Sequence, residues 1–119
     1  MPIERVGLTN RWCDAAIFNG IVFLAGHVPE KTVGDTLARQ TEEVLALLEE
    51  TLESAGSAKD RILSVQIFVT DISKIAEMNA VWDKWVAAGH APARATVEAK
   101  LASPGYAIEM TAVAAKKGL

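Results

Sequence analysis

Two charged residues, Arg94 and Glu109, interrupt stretches that otherwise alternate apolar and small polar residues, PARATVEAKL (92–101) and YAIEMTAVAA (106–115). Arginine carries a planar fork that grips a carboxylate through two hydrogen bonds. A carboxylate beside a bound substrate can orient a water molecule and take its proton. Together the two residue types make a minimal hydrolytic site for a small carboxylic acid. The plainer alternative is a mutual salt bridge, or charges on a sheet rim, because ion pairs are often structural. Glu98, on the same alternating face as Thr96, competes with Glu109 for the carboxylate role.

Other chemistries find less support. His27 and His90 each lie beside a turn, and with one cysteine and no HxxxH or CxxC spacing they make no zinc site. Cys13 has no evident activating base and reads as an inert thiol. No glycine-rich loop opens a helix, so no phosphate cradle is expected. Net charge is −3, and the aromatic residues are not interleaved with basic ones, which argues against a nucleic-acid surface. A single cysteine fits a reducing compartment. The amino-terminal MPIERVGLTNRW lacks the apolar core of a signal peptide, and the longest apolar run, IVFLAG, is too short to span a bilayer. A cytoplasmic protein without membrane contact is expected.

The 119 residues fit one domain, 1–119, with no linker or repeat. Strands are expected at 3–6 and on both sides of Asn19-Gly20, a strong hairpin turn. After a loop at 27–35, Asp35 is the expected N-cap of a helix running from 36 to about 55. Its apolar face is Leu37, Thr41, Val44, Leu45, Leu48 and Leu52, with Glu42, Glu43, Glu49, Glu50 and Glu53 mostly opposite and Gly56 as the stop. In the strand 61–71, Ile62, Ser64, Gln66 and Phe68 fall on one face, and Leu63, Val65, Ile67 and Val69 on the other. A second helix is expected from Ser73 to Ala88, with Ile75, Met78, Ala80 or Val81, Trp82 and Trp85 inward and Gly89 ending it. Strands at 93–101 and 107–115 complete the order β-β-β-α-β-α-β-β. Right-handed crossovers put both helices on one sheet face. The other face still carries apolar residues such as Val113, so sheets of several chains are expected to pack on one another.

The stretches PARATVEAKL and YAIEMTAVAA resemble the end motif of the RidA/YjgF family, the reactive intermediate (enamine/imine) deaminases. In that motif an Arg precedes an xxVE segment and a Glu follows fifteen positions later, as Arg94 and Glu109 do. IVFLAGHVP is similar to a family strand ending in Ser-Gly-Gln-Ile-Pro, and RILSVQIFVTDISKIAEMNAVWDKWV to its strand, turn and MNxV helix. The resemblance implies an α+β, chorismate-mutase-like fold: a six-stranded mixed sheet of order 1-2-3-6-4-5 with two helices on one face. It further implies a homotrimer with active sites in intersubunit clefts. Arg94 would hold the substrate carboxylate, aided by the backbone N–H at Thr96, where many members have Cys. Glu109 would position the attacking water, and Gly26 would bring backbone close to the ligand. Asn79 matches the Asn of the family's second helix, a substrate-binding residue or a structural one. Trp12 stands near a pocket-closing Tyr, and an indole donates but cannot accept a hydrogen bond. Ala25 replaces a common Ser. The implied reaction is hydrolysis of 2-enamine or 2-imino acids to 2-keto acids and ammonia, with no metal or organic cofactor. A non-catalytic trimer that binds a 2-keto acid is the alternative, and a ribonuclease role the least favoured.

Overall fold

The computed structural model describes residues 2–118. The elements are β1 (Glu4–Val6), β2 (Ala15–Phe18), β3 (Ile21–Leu24), α1 (Leu37–Ser54), β4 (Ile62–Val69), α2 (Ile75–Trp85), β5 (Ala93–Glu98) and β6 (Ile108–Ala115). They form a six-stranded sheet of order β1-β2-β3-β6-β4-β5, as the resemblance implies. Only β4 and β5 run parallel, joined by α2 as a crossover; every other neighbouring pair is antiparallel. Asn19 and Gly20 both have positive φ and make the β2–β3 turn. The last two strands are not a hairpin, because β4 lies between them. Their connection is pinned by Gln40 of α1, which is buried; its amide donates to Gly105 O and accepts from Ala107 N.

The core lies on one side of the sheet. Ile17, Val22, Leu24, Val65, Ile67, Val69, Ile108 and Met110 pack against Val44, Leu45, Leu48 and Leu52 of α1 and Met78 and Trp82 of α2. The helical spacing read from the sequence therefore marks the buried stripes of both helices. The opposite sheet face has no helix, and Phe18, Phe23 and Val97 remain 41%, 49% and 44% exposed on it. No helix among the described residues is long and apolar enough to cross a membrane.

Several boundaries differ from expectation. Thr36, not Asp35, caps α1: its hydroxyl accepts from Arg39 N at 3.2 Å. Asp35 instead accepts from Thr36 N and pairs with Arg39 at 3.0 Å, so both residues hold the helix start. At the other end Gly56 adopts φ 80°, and Gly56 N and Ser57 N bond to Glu53 O and Leu52 O, closing the helix as a Schellman motif. A β-bulge between Ile62 and Ser64 leaves Leu63 without a partner in β6. The extra residue reverses the alternation, so Ile62 is buried and Leu63 is half exposed, opposite to the expected faces. α2 is shorter than expected. A 3-10 turn, Ile72–Lys74, precedes it, and extended Val86 ends it before Gly89. β5 likewise stops at Glu98 rather than 101.

Glu43, expected on the outer face of α1, clasps the 27–35 loop. Its carboxylate accepts from the backbone N–H groups of Glu30, Lys31 and Thr32 and from the Thr32 hydroxyl at 2.6 Å. Partial burial pushes its pKa up, but these donors outweigh it and lower the pKa from 4.5 to about 2. A depressed carboxylate pKa stabilises the fold above the unfolded value and loses that contribution as pH falls through the folded value. Glu43→Gln is therefore expected to lower unfolding free energy by about 1–2 kcal/mol at neutral pH, a figure reduced by solvent screening. Urea titrations should show that difference at pH 6, shrinking below about 4.5 and vanishing near 2. A difference that stays constant down to pH 2 would show that the clasp does not depend on the carboxylate's charge.

Candidate active site

The six residues singled out in the sequence fall into two groups. Trp12, Gly26 and Glu109 line one cavity of about 450 Å³, between the chain that follows β3 and α1. Arg94 and Thr96 lie on edge strand β5, beside Asn79 of α2. Strand register shows why the groups are separate. Glu109 is opposite Phe68, whose face carries no helix, whereas Arg94 and Thr96 are opposite Val65 and Ile67 of the helix-covered face. Within one chain Arg94 and Glu109 thus project to opposite sides of the sheet, and among the described residues no ion pair joins them. The salt-bridge alternative is overturned by the alternation of the strands themselves.

The Glu109 cavity is built by close backbone approach. A Cβ on Gly26 would overlap the Glu109 carboxylate, so only glycine leaves room for that side chain there. The neighbouring backbone is held by a bridge between His27 and Met110 and by Thr111 Oγ1, which donates to Leu24 O at 2.6 Å. Trp12 is 55% exposed at the cavity mouth. A Thr9 turn sets its backbone: Thr9 N and Oγ1 both bond to Trp12 O, and Trp12 N donates to Thr9 Oγ1 at 3.0 Å. Gly26→Ala is expected to displace the Glu109 side chain with little change in stability, because the end of a flexible carboxylate side chain can swing into the open cavity. A crystal structure and thermal melts of the variant check this; an unmoved carboxylate would refute it.

The cavity also brings in residues outside the expected site set. Asp14, Glu30 and Glu50 bring further carboxylates to its wall. His27, expected beside a turn as a solvated or hydrogen-bonded residue, is half buried and hydrogen-bonded; Nδ1 lies 2.7 Å from Ala25 O and Nε2 2.8 Å from Thr51 Oγ1. Their convergence depends on how the loop folds back over α1, which no local pattern announces. The cavity wall contains no lysine or arginine. Among the described residues no cluster of three or more His, Cys, Asp or Glu side chains is arranged to hold a metal ion.

The other group centres on Arg94. Its Nη1 donates to Asn79 Oδ1 at 2.9 Å, and its guanidinium carbon lies 5.2 Å from the centroid of the Trp82 ring. Thr96 Oγ1 is buried without a hydrogen-bond partner among the described residues. Glu98, the rival carboxylate, accepts from Ile72 N at 3.1 Å and so caps the turn before α2. It lies outside the Glu109 cavity.

Known proteins share this architecture. A family model described as Endoribonuclease L-PSP matches residues 3–116. A RutC family protein of Haemophilus influenzae is 41% identical over 114 residues, which cover 96% of this chain and 98% of that one. RutC family protein YoaB of Escherichia coli is 44% identical over 115 residues, covering 97% and 99%. The crystal structure of a YjgF-family protein from Neisseria meningitidis superposes with a TM-score of 0.96 at 45% identity, covering 100% of this chain and 98% of that one. With its motifs, its sheet order and nearly its whole length held in common with these proteins, the chain belongs to the RidA/YjgF family, whose members also carry the names RutC and endoribonuclease L-PSP.

Proposed function

We propose that the protein hydrolyses reactive 2-enamine and 2-imino acids to 2-keto acids and ammonia, in clefts between the subunits of a cytoplasmic homotrimer. One observation carries this reading: Glu109, in the carboxylate cavity, and Arg94 project to opposite faces of the sheet. The cavity wall offers Glu109, Asp14, Glu30 and Glu50 but no cation of its own. An acidic substrate would be repelled from it unless a cation came from outside the chain. The bare apolar sheet face, with Phe18, Phe23 and Val97, supplies a surface on which another copy can bring its Arg94 to that cavity.

In that cleft Arg94 holds the substrate carboxylate, aided by the backbone at Thr96. Glu109 aims a water molecule at the imine carbon and takes its proton. The C–O bond forms as the C=N electrons move to nitrogen. Glu109 passes that proton to the nitrogen; it then relays the proton of the new hydroxyl as the C–N bond breaks, so ammonia leaves, the carbonyl of the 2-keto acid remains and Glu109 is again a carboxylate. An enamine enters the same path after protonation at carbon. The chemistry calls for no metal or organic cofactor. The acidic wall disfavours an RNA backbone in the same cavity.

The test couples an amino-acid oxidase, which makes imino acid in situ, to semicarbazide trapping. The protein is expected to shorten the imine's lifetime, and solution mass is expected to be three chains. A stable monomer, or a trimer that binds a 2-keto acid without hastening imine loss, would overturn the reading; the latter result identifies a binding protein.

A further inference from the structure

We infer that Asn79 and Trp82 form a two-point clamp that pre-sets the Arg94 guanidinium for carboxylate capture, so that both act through Arg94 as positioning residues. The inference rests on the proposed role of Arg94. Asn79 and Trp82 are three positions apart on α2 and therefore neighbours on one helix face. Asn79 Oδ1 accepts a hydrogen bond from Nη1 at 2.9 Å, and the Trp82 ring lies 5.2 Å from the guanidinium carbon. The amide fixes one edge of the guanidinium, and the indole lies within cation–π range of it. The other edge, Nε with Nη2, meets no acceptor among the described residues. That edge is a side-on fork matched to a carboxylate.

Trp82 is itself immobilised. It is 6% exposed within the core and packs on Trp85 with ring centroids 5.6 Å apart. Trp85 Nε1 in turn donates to Glu49 of α1 at 3.1 Å. The arginine, although exposed, is thereby referred to the rigid packing of both helices. A long side chain held before binding loses less freedom when the ligand arrives. Asn79 Oδ1 accepts from Arg94, which gives the residue a positioning task.

The test uses the full-length protein with pyruvate as the carboxylate probe and pyruvamide as its uncharged counterpart. Asn79→Ala is expected to weaken pyruvate binding roughly tenfold. Trp82→Leu is expected to weaken it about three- to fivefold, and Trp82→Phe less, because a ring remains. KM for imino acids should rise in parallel while kcat changes little, and pyruvamide binding should stay as it was. Nitrogen-15 NMR should show freer guanidinium rotation at Arg94 in both weakened variants. If Asn79→Ala loses its native circular dichroism, Asn79→Asp carries the test. A carboxylate at that position competes for the fork and should weaken pyruvate more than pyruvamide. Equal losses for the two probes would overturn the clamp, as would unaltered pyruvate binding in Asn79→Ala when Arg94→Ala abolishes it. Unaltered pyruvate binding in Arg94→Ala would overturn the functional reading and the clamp with it.

Discussion

Arg94→Ala should lower kcat/KM for imino-acid hydrolysis by about a hundredfold or more, since it removes two charge-assisted hydrogen bonds to the substrate carboxylate. The loss should appear equally in the affinity for a 2-keto acid, because product and substrate present the same carboxylate. Arg94→Lys should recover only part of it: the ammonium keeps the charge but lacks the planar fork. Stability should change little, by no more than about 1 kcal/mol, because the side chain is exposed and is held by one hydrogen bond and the Trp82 ring alone. That separation matters for interpretation. A variant that melts like the parent yet neither binds pyruvate nor clears imine locates the defect at the fork. Undiminished turnover in Arg94→Ala would end the proposed mechanism.

How far the sequence reveals this site depends on the range of the interactions. Periodicity finds the buried stripes of α1 and α2 because a helix repeats its face every few residues, as Val44, Leu48 and Leu52 do. It also finds the alternation of β6, where Ile108, Met110, Ala112 and Ala114 are all buried. The same rule misplaces Leu63, since one bulge residue shifts the phase and leaves no mark on composition. It moves the α1 cap by one residue because Asp35 and Thr36 are both competent and only the backbone path decides between them. Strand order lies beyond periodicity altogether. The family motifs supply it, and only with β6 between β3 and β4 does it become clear that Arg94 and Glu109 leave the sheet on opposite sides. Glu43 is the sharpest omission, and the partner of His27 is another. Glu43 reads as an outer-face helix residue and His27 as a solvated or hydrogen-bonded one beside a turn, and each is recruited by a segment distant in the chain: the 30–32 loop for Glu43, and Thr51 of α1 for His27.

Glu109→Gln separates binding from turnover and should have the larger effect on the chemical step. The substitution keeps length and shape, so the space that Gly26 leaves beside the side chain still accommodates it. What it removes is the charge that accepts the water's proton. Loss of a positioned general base costs typically a hundredfold to ten-thousandfold, and kcat should fall within that range. Affinity for a 2-keto acid should persist, or rise, because one negative charge leaves a wall that still contains Asp14, Glu30 and Glu50. This outcome is opposite in kind to that of Arg94→Ala, which removes affinity and turnover together. The pair also tests the subunit boundary. If each cleft takes its arginine from one chain and its carboxylate from another, mixed trimers of Arg94→Ala and Glu109→Gln chains contain some clefts with both native residues. Mixing the two inactive proteins under conditions of subunit exchange should therefore restore part of the activity. Sites assembled within one chain would stay silent in every mixture, because each chain lacks one of the two groups. Restoration requires both that the residues cooperate and that they belong to different chains, which is what their placement on opposite sides of the sheet demands.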